Sequence, residues 1–230
     1  MTFAQLQARL YKSVQRDDLL ATNDPDENYG TYINDALLEI QRRRNWSQMK
    51  SLPTNVTITS GNASVVLPST FKTFQNLRPP VHIVLPPDPV LGSTLRPVDV
   101  TWAEFEWRRW WVMGAGMPWT WDLRVWIDGQ VSNGVTPCTA TLNMAQQAGE
   151  DLTFQLKYYK FLPFLTADGD TSPIEVARPR LVQLKAKELC FERINDFEAQ
   201  DQARKMFEAQ LVIEARDDAT NCVSGQEARM

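Results

Sequence analysis

The chain has 230 residues, of which 43% are hydrophobic and 23% are charged, so it is long enough to bury a core and has an ordinary globular composition. Its net charge of -4 argues against a protein that coats duplex DNA, because such proteins normally present a basic face. No apolar run approaches the about 20 residues that a membrane-spanning helix needs.

The N-terminal segment predicts a helix from Thr2 to Arg16. Thr2 and Gln5 have the spacing of a capping box, in which each side chain bonds the other residue's backbone N–H. The apolar residues recur at the helical period, and they are Phe3, Leu6, Leu10 and Val14. The segment from Asp17 to Glu27 is acidic and contains Pro25, which predicts a solvated loop.

A second amphipathic helix is predicted at the start of the stretch Tyr29–Lys50. Its apolar face is formed by Tyr29, Tyr32, Ile33, Ala36, Leu37 and Ile40. The opposite face is predicted to carry Asn34, Asp35, Glu39 and Gln41. Arg42, Arg43 and Arg44 follow in the last turns, where cations suit the negative end of the helix dipole, and Trp46 comes next.

The middle third has the alternating pattern of β-strands. Val56 and Ile58, a turn at Ser60–Asn62 and the apolar run Val65–Leu67 together predict a β-hairpin. Further strands are predicted at Val81–Leu85, Leu95–Val100, Trp119–Ile127, Val131–Met144 and Leu152–Tyr159.

A short aromatic helix is predicted at Trp102–Trp111, within this β-rich part. Its rings suit a core or a subunit contact, because tryptophans supply much contact area with few rotatable bonds. The interleaved Arg108 and Arg109 leave open a rival interpretation, a stacking platform for single-stranded nucleic acid.

The C-terminal third is predicted to be helical again. Ser172, Pro173 and Glu175 indicate a helix start, and Pro179 indicates a restart. The apolar period from Leu181 onward fits either two helices or one helix kinked near Asp196. Asp217–Met230 has little apolar content and predicts a mobile tail unless a partner orders it.

This order of elements predicts the α+β class. Helices from residues 1–52 and 172–216 form a bundle, and residues 53–171 form an antiparallel β-rich module inserted into it in sequence. Residues 217–230 form the predicted C-terminal tail.

The pattern offers little for catalysis, and we predict a protein that is not an enzyme. The single histidine, His82, lies in an apolar run and suits a strand, and Cys138, Cys190 and Cys222 have no metal-site spacing. Asp168-Gly169-Asp170 lacks the glutamate that a calcium loop carries at its twelfth position. We therefore predict no metal and no cofactor. A hydrolase based on acids such as Asp122 and Asp128 ranks last.

Three short motifs in this order carry a resemblance. They are an Asn-Asp-Ala helix that runs into Arg42-Arg43-Arg44-Asn45-Trp46-Ser47, then Leu67-Pro68-Ser69-Thr70-Phe71-Lys72, and then Tyr158-Tyr159 leading to Leu162-Pro163. The chain thereby resembles tailed-phage head-to-tail adaptor proteins, a group that includes tail tubular protein A of T7-like podophages. The resemblance spans about residues 3–215 in order and spacing.

The resemblance implies a structural virion protein of the phage neck, made in the host cytoplasm. Its subunits would form a ring of about twelve copies below the portal protein, with the helical bundle facing the portal and the β module facing the tail or nozzle protein. DNA would pass through a central channel without sequence-specific binding, and the acidic balance of the chain suits such a channel.

The resemblance also implies two sets of contact residues, and a departure from it suggests a third. Subunit or bundle contacts are expected from Asn34, Asp35, Arg42, Arg43, Arg44 and Trp46. A tail that docks on the portal is expected from Asp217, Asp218, Asn221, Val223, Arg229 and Met230. The insertion from Pro86 to Trp126 departs from shorter family members, and contact with tail proteins is expected from Trp107, Arg108, Arg109, Trp110 and Trp111.

A second hypothesis treats the tryptophan-rich β surface as a platform that binds carbohydrate or nucleic acid. Saturable quenching of tryptophan fluorescence by oligosaccharides or single-stranded DNA would favour it over the adaptor.

Overall fold

A computed structural model describes residues 1–15, 28–78, 125–144, 148 and 151–227. The chain divides into two compact units, one formed by Met1–Met49 with Leu162–Met230 and the other by Lys50–Phe161. The first is helical and the second is built from antiparallel strands, which confirms the predicted α+β class.

The helical unit contains five α-helices and one short 3-10 turn at Ser47–Met49 in its described residues. The helices are α1 (Phe3–Val14), α2 (Tyr29–Arg43), α3 (Pro173–Ala177), α4 (Pro179–Arg193) and α5 (Phe197–Glu227). Helix α4 packs against α1, α2 and α5. Its apolar residues are therefore the centre of this unit's core, and Leu181, Val182 and Cys190 are fully buried.

Local signals set the ends of α1 and α2. The predicted capping box is present, because the Thr2 hydroxyl accepts from the Gln5 N–H while the Gln5 side chain accepts from the Thr2 N–H. Asn28 caps α2 by accepting from the Thr31 N–H at 3.0 Å. Gly30 allows close approach of α1, since an added Cβ would lie 2.9 Å from the ring of Phe3.

The polar face predicted for α2 was wrong at Gln41. This side chain is only 2% exposed, and its Oε1 accepts from the backbone N–H of Leu162 at 2.7 Å. Asn34 makes a matching pair of hydrogen bonds with the backbone of Leu165, at 3.0 Å to its O and 2.9 Å from its N–H. These bonds hold Leu162–Leu165 to α2, so the helical unit resumes at Leu162, before the predicted boundary at residue 172.

The C-terminal helices separate where the sequence left two alternatives open. Asn195 adopts a left-handed conformation with φ 57°, and Asp196 then caps α5 by accepting from the Ala199 N–H at 3.1 Å. There are thus two helices, α4 and α5. Helix α5 continues through Glu227, so most of the segment predicted as a C-terminal tail has helical backbone.

The β unit contains two three-stranded antiparallel sheets in its described residues. Its strands are β1 (Thr54–Ile58), β2 (Ser64–Val66), β3 (Phe71–Arg78), β4 (Val125–Asp128), β5 (Thr141–Met144) and β6 (Leu152–Lys160). One sheet has the order β1-β6-β3 and the other the order β2-β5-β4. The core of this unit is a cluster of buried residues from both sheets, which includes Ile58, Phe71, Leu142 and Phe154.

The predicted hairpin of β1 with β2 was wrong. Val56 of β1 pairs with Phe154 of β6, whereas Val65 of β2 pairs with Leu142 of β5. The turn at Gly61, with φ 83°, is present, but the chain passes through it from one sheet to the other. Strand β6 was predicted correctly, β3 was missed, and Val131–Met144 forms a strand only at Thr141–Met144.

Candidate interaction site

The Arg42–Trp46 segment ends α2 inside the helical unit. Arg43 Nε lies 2.9 Å from Glu39 Oε1, and Arg43 Nη1 lies 2.5 Å from Glu208 Oε1 on α5. Arg42 and Asp35 are exposed. Trp46 is fully buried, and its indole N–H donates to the Ile40 carbonyl at 2.9 Å.

Trp46 belongs to a buried polar group that we call the Arg178 cluster. The group consists of Trp46, Ser47, Arg178, Glu214 and Asp218. The Arg178 guanidinium lies 4.6 Å from the centroid of the Trp46 ring, and its terminal nitrogens lie 2.5 Å from Glu214 Oε2 and 2.7 Å from Asp218 Oδ1. Ser47 Oγ donates to Asp218 Oδ1 at 2.5 Å. The cluster therefore joins the end of α2, the α3–α4 junction and α5.

The position of Arg178 in the chain allows it to form ion pairs with two acids. It lies between α3 and α4, where it ends one helix and precedes the other with φ -139° and ψ 55°. Glu214 and Asp218 are spaced by four residues on α5, so both carboxylates face the same side. The planar fork of an arginine bonds two such acceptors at once, which a lysine cannot do in the same way.

A second aromatic ring, Phe207 on α5, is also covered by cations. The Phe207 ring is fully buried, with the Arg43 guanidinium 5.2 Å and the Lys185 ammonium 5.5 Å from its centroid. Lys185 forms a buried ion pair with Glu188 at 3.2 Å. Cations over aromatic faces, each neutralised by a nearby acid, thus occur at two places along α5.

Three large apolar side chains of α5, between Met206 and Ile213, are exposed to solvent. Met206 is 50% exposed, Val212 is 64% exposed and Ile213 is 54% exposed, and Ala209 lies among them at helical spacing. We call these four residues the outer face of α5. Contiguous exposed apolar residues on a folded protein commonly mark a contact with another protein.

The predicted docking tail is divided by the structure. Asp217 is exposed, whereas its neighbour Asp218 is 3% exposed within the Arg178 cluster. Asn221 and Val223 lie on the backbone of α5, and Arg229 and Met230 lie outside the described residues. The predicted tail-protein contacts, Trp107, Arg108, Arg109, Trp110 and Trp111, also lie outside them.

The residues weighed for catalysis or metal binding do not form a site in the described part of the chain. No group of three or more metal-ligating side chains occurs there. The Asp170 carboxylate accepts from the backbone N–H groups of Ala167 and Thr166, which lowers the pKa of Asp170. Asp128 is exposed at a strand end, and His82 and Asp122 lie outside the described residues.

Sequence reasoning missed Arg178, Glu214 and Lys185 as contact residues. Each is a charged residue within a helical pattern, where a charge normally indicates a solvated face. A signal was nevertheless present, because Phe207, Glu214 and Asp218 recur on one face of α5. Their shared face indicates that both acids point to the same side of the helix as the ring.

Comparison with known proteins agrees with a structural role. No helix in the described residues has the length and apolarity of a membrane span. Among curated proteins none matches the chain at a significant level. The family model described as SU10 adaptor protein matches residues 1–228. Since this match covers nearly the whole chain, the chain belongs to the SU10 adaptor protein family of phage structural adaptors, as the motifs around Arg42–Ser47 indicated.

Proposed function

We propose that the protein is a head-to-tail adaptor that forms a ring between the portal and the tail of a phage particle and lets DNA pass through its channel. Membership of an adaptor family across residues 1–228 supports this assignment. The structural observation that supports it most is the outer face of α5, whose apolar residues are exposed in the single chain.

The outer face of α5 supports the ring. In a closed ring each subunit uses two different patches, one for each neighbour. Met206, Val212 and Ile213 form a patch that no described residue of the chain covers, so a neighbouring subunit would bury it. A ring of twelve copies is the number expected from related adaptors.

The partners follow from the two ends of such a ring. Residues 217–230, now with most of their backbone in α5, remain the proposed contact with the portal protein. Trp107–Trp111 remains the proposed contact with the tail or nozzle protein. The net charge of -4 suits a channel wall that DNA passes without binding.

Light scattering after size exclusion tests the proposal, first on the protein alone and then on a mixture with the cognate portal ring. We expect many adaptor subunits to co-elute with each portal. Val212→Asp with Ile213→Asp should abolish this assembly, because a ring contact would then have to bury unpaired charges. Val135→Asp is the matched control, since Val135 is an equally exposed valine of the β unit. A protein that neither self-assembles nor joins the cognate portal would refute the adaptor ring.

A further inference from the structure

Helix α5 changes character at Phe207. Before this point it packs into the core of the helical unit, where Ala203 and Phe207 are buried. From Glu208 to Ala219 the only buried residue is Asp218, and the apolar side chains of Val212 and Ile213 point to solvent. Between Glu208 and Ala219, α5 thus buries an acid on its inner side and exposes apolar groups on its outer side.

The inner contacts of this segment are polar ones. Asp218 accepts from the hydroxyl and the backbone N–H of Ser47, and it also pairs with Arg178 at 2.7 Å. Glu214 pairs with the same guanidinium, and Gln210 donates to Glu214 at 2.9 Å. Between Glu208 and Ala219 the large aliphatic residues are Leu211, Val212 and Ile213. Leu211 is partly buried, and the other two are exposed.

Such contacts fix a position without adding much net stability. The cost of removing two charges from water offsets most of their attraction, whereas burial of apolar groups has no such cost. The segment also cannot support itself as a helix, because residues 217–227 include Thr220, Asn221, Val223 and Gly225, which have weak helix propensities. Segments with few buried apolar contacts open locally at low free energy.

We propose that residues 208–227 form a strap that opens and closes about Phe207 as one unit, fastened by Asp218 to Ser47 and Arg178. The rest of the bundle stays folded when the strap opens, because α4 and the first part of α5 keep their apolar contacts. The purpose of the strap rests on the proposed function: an arm that leaves the bundle can reach a portal.

Hydrogen–deuterium exchange on the full chain alone tests the strap without any portal. In the unaltered protein we expect the amides of residues 208–227 to exchange together, and at least about tenfold faster than those of residues 197–207 and of α4. Exchange in the strap that is as slow as in α4 would overturn the proposal.

Two adjacent acids give a matched pair of variants. Asp218→Asn weakens the fastening and should raise exchange in residues 208–227 by a further factor of about ten, whereas the exposed Asp217→Asn should leave it within about twofold. If Asp218→Asn raises exchange equally in α2 and α4, the strap does not open separately and the proposal fails. Near-ultraviolet circular dichroism checks that Asp218→Asn remains folded. If the protein fails to bind the portal but shows the expected exchange, the proposed function is wrong and the strap is still supported.

Discussion

Asp218 Oδ1 accepts a hydrogen bond of 2.5 Å from the hydroxyl of Ser47, a residue 171 positions earlier in the chain. The same oxygen lies 2.7 Å from Arg178 Nη2. One carboxylate oxygen therefore ties α5 to two other segments of the helical unit. This arrangement determines what we expect of substitutions in the cluster.

Arg178→Met should destabilise the protein less than the loss of a buried ion-pair partner usually does. Removal of one partner typically costs about 3–5 kcal/mol, because it leaves a buried charge unpaired. Here the strap can open and carry Glu214 and Asp218 into water, so we expect a loss of about 1–2 kcal/mol in urea unfolding. Lys205→Met, which breaks an exposed pair with Asp201, should change the unfolding free energy by no more than about 0.5 kcal/mol. A loss of about 3–5 kcal/mol for Arg178→Met would show that residues 208–227 do not open separately from the rest of the unit.

Gln41→Leu should lower the free energy of unfolding by about 1–3 kcal/mol. The substitution keeps the volume but leaves the buried N–H of Leu162 without the acceptor that now lies 2.7 Å away. Gln202→Leu, at an exposed position of α5, is the control and should have an effect within about 0.5 kcal/mol. Chemical denaturation measures both variants. Equal effects would show that Gln41 does not hold the Leu162 segment.

Lys72 gives the β unit a dependence on pH. Partial burial beside the Phe161 ring lowers the pKa of Lys72 to about 8 from its ordinary value of 10.5. A lysine with a lowered pKa binds its proton less tightly in the folded than in the unfolded state, so this group favours unfolding most strongly below pH 8. The penalty declines between about pH 8 and 10.5 and is absent above that range.

Lys72→Met tests this dependence through unfolding curves measured at several pH values. We expect the variant to gain stability relative to the unaltered protein below about pH 8, and the difference to shrink as the pH rises toward 10.5. The exposed Lys12→Met serves as the control for the loss of one positive charge. A gain that does not vary with pH would indicate that Lys72 is charged equally in both states.

Cys190 should resist alkylation in the folded protein. Its side chain is fully buried in α4, and burial raises the pKa of the thiol to about 12. In a chain with Cys138→Ser and Cys222→Ser, we expect iodoacetamide to label Cys190 only as fast as the unit unfolds, and rapidly in urea. Rapid labelling of the native protein would contradict the packing of α4 against α1, α2 and α5.

Local patterns in the sequence were sufficient for several elements. The capping box of Thr2 with Gln5 involves residues three apart, so it forms wherever that helix forms. The apolar stripe of α2 was read correctly from its period, and the motif from Arg42 to Ser47 indicated the adaptor family that the whole-chain match shows. Each of these features depends on neighbours in the chain or on a short ordered motif.

Features that depend on a distant partner were decided only in the tertiary structure. Val56 and Val65 have the pattern of a hairpin, but Val56 pairs with β6 and Val65 with β5, which places them in two sheets. Gln41 and Asp218 have the chemistry of solvated residues, yet Leu162 and Arg178 bury them through specific hydrogen bonds. The sequence by itself determined where the described helices begin and which family the chain joins. Tertiary packing decided which strands pair and which polar residues lie inside, because a polar group can be buried only where a distant segment supplies its hydrogen-bond partner.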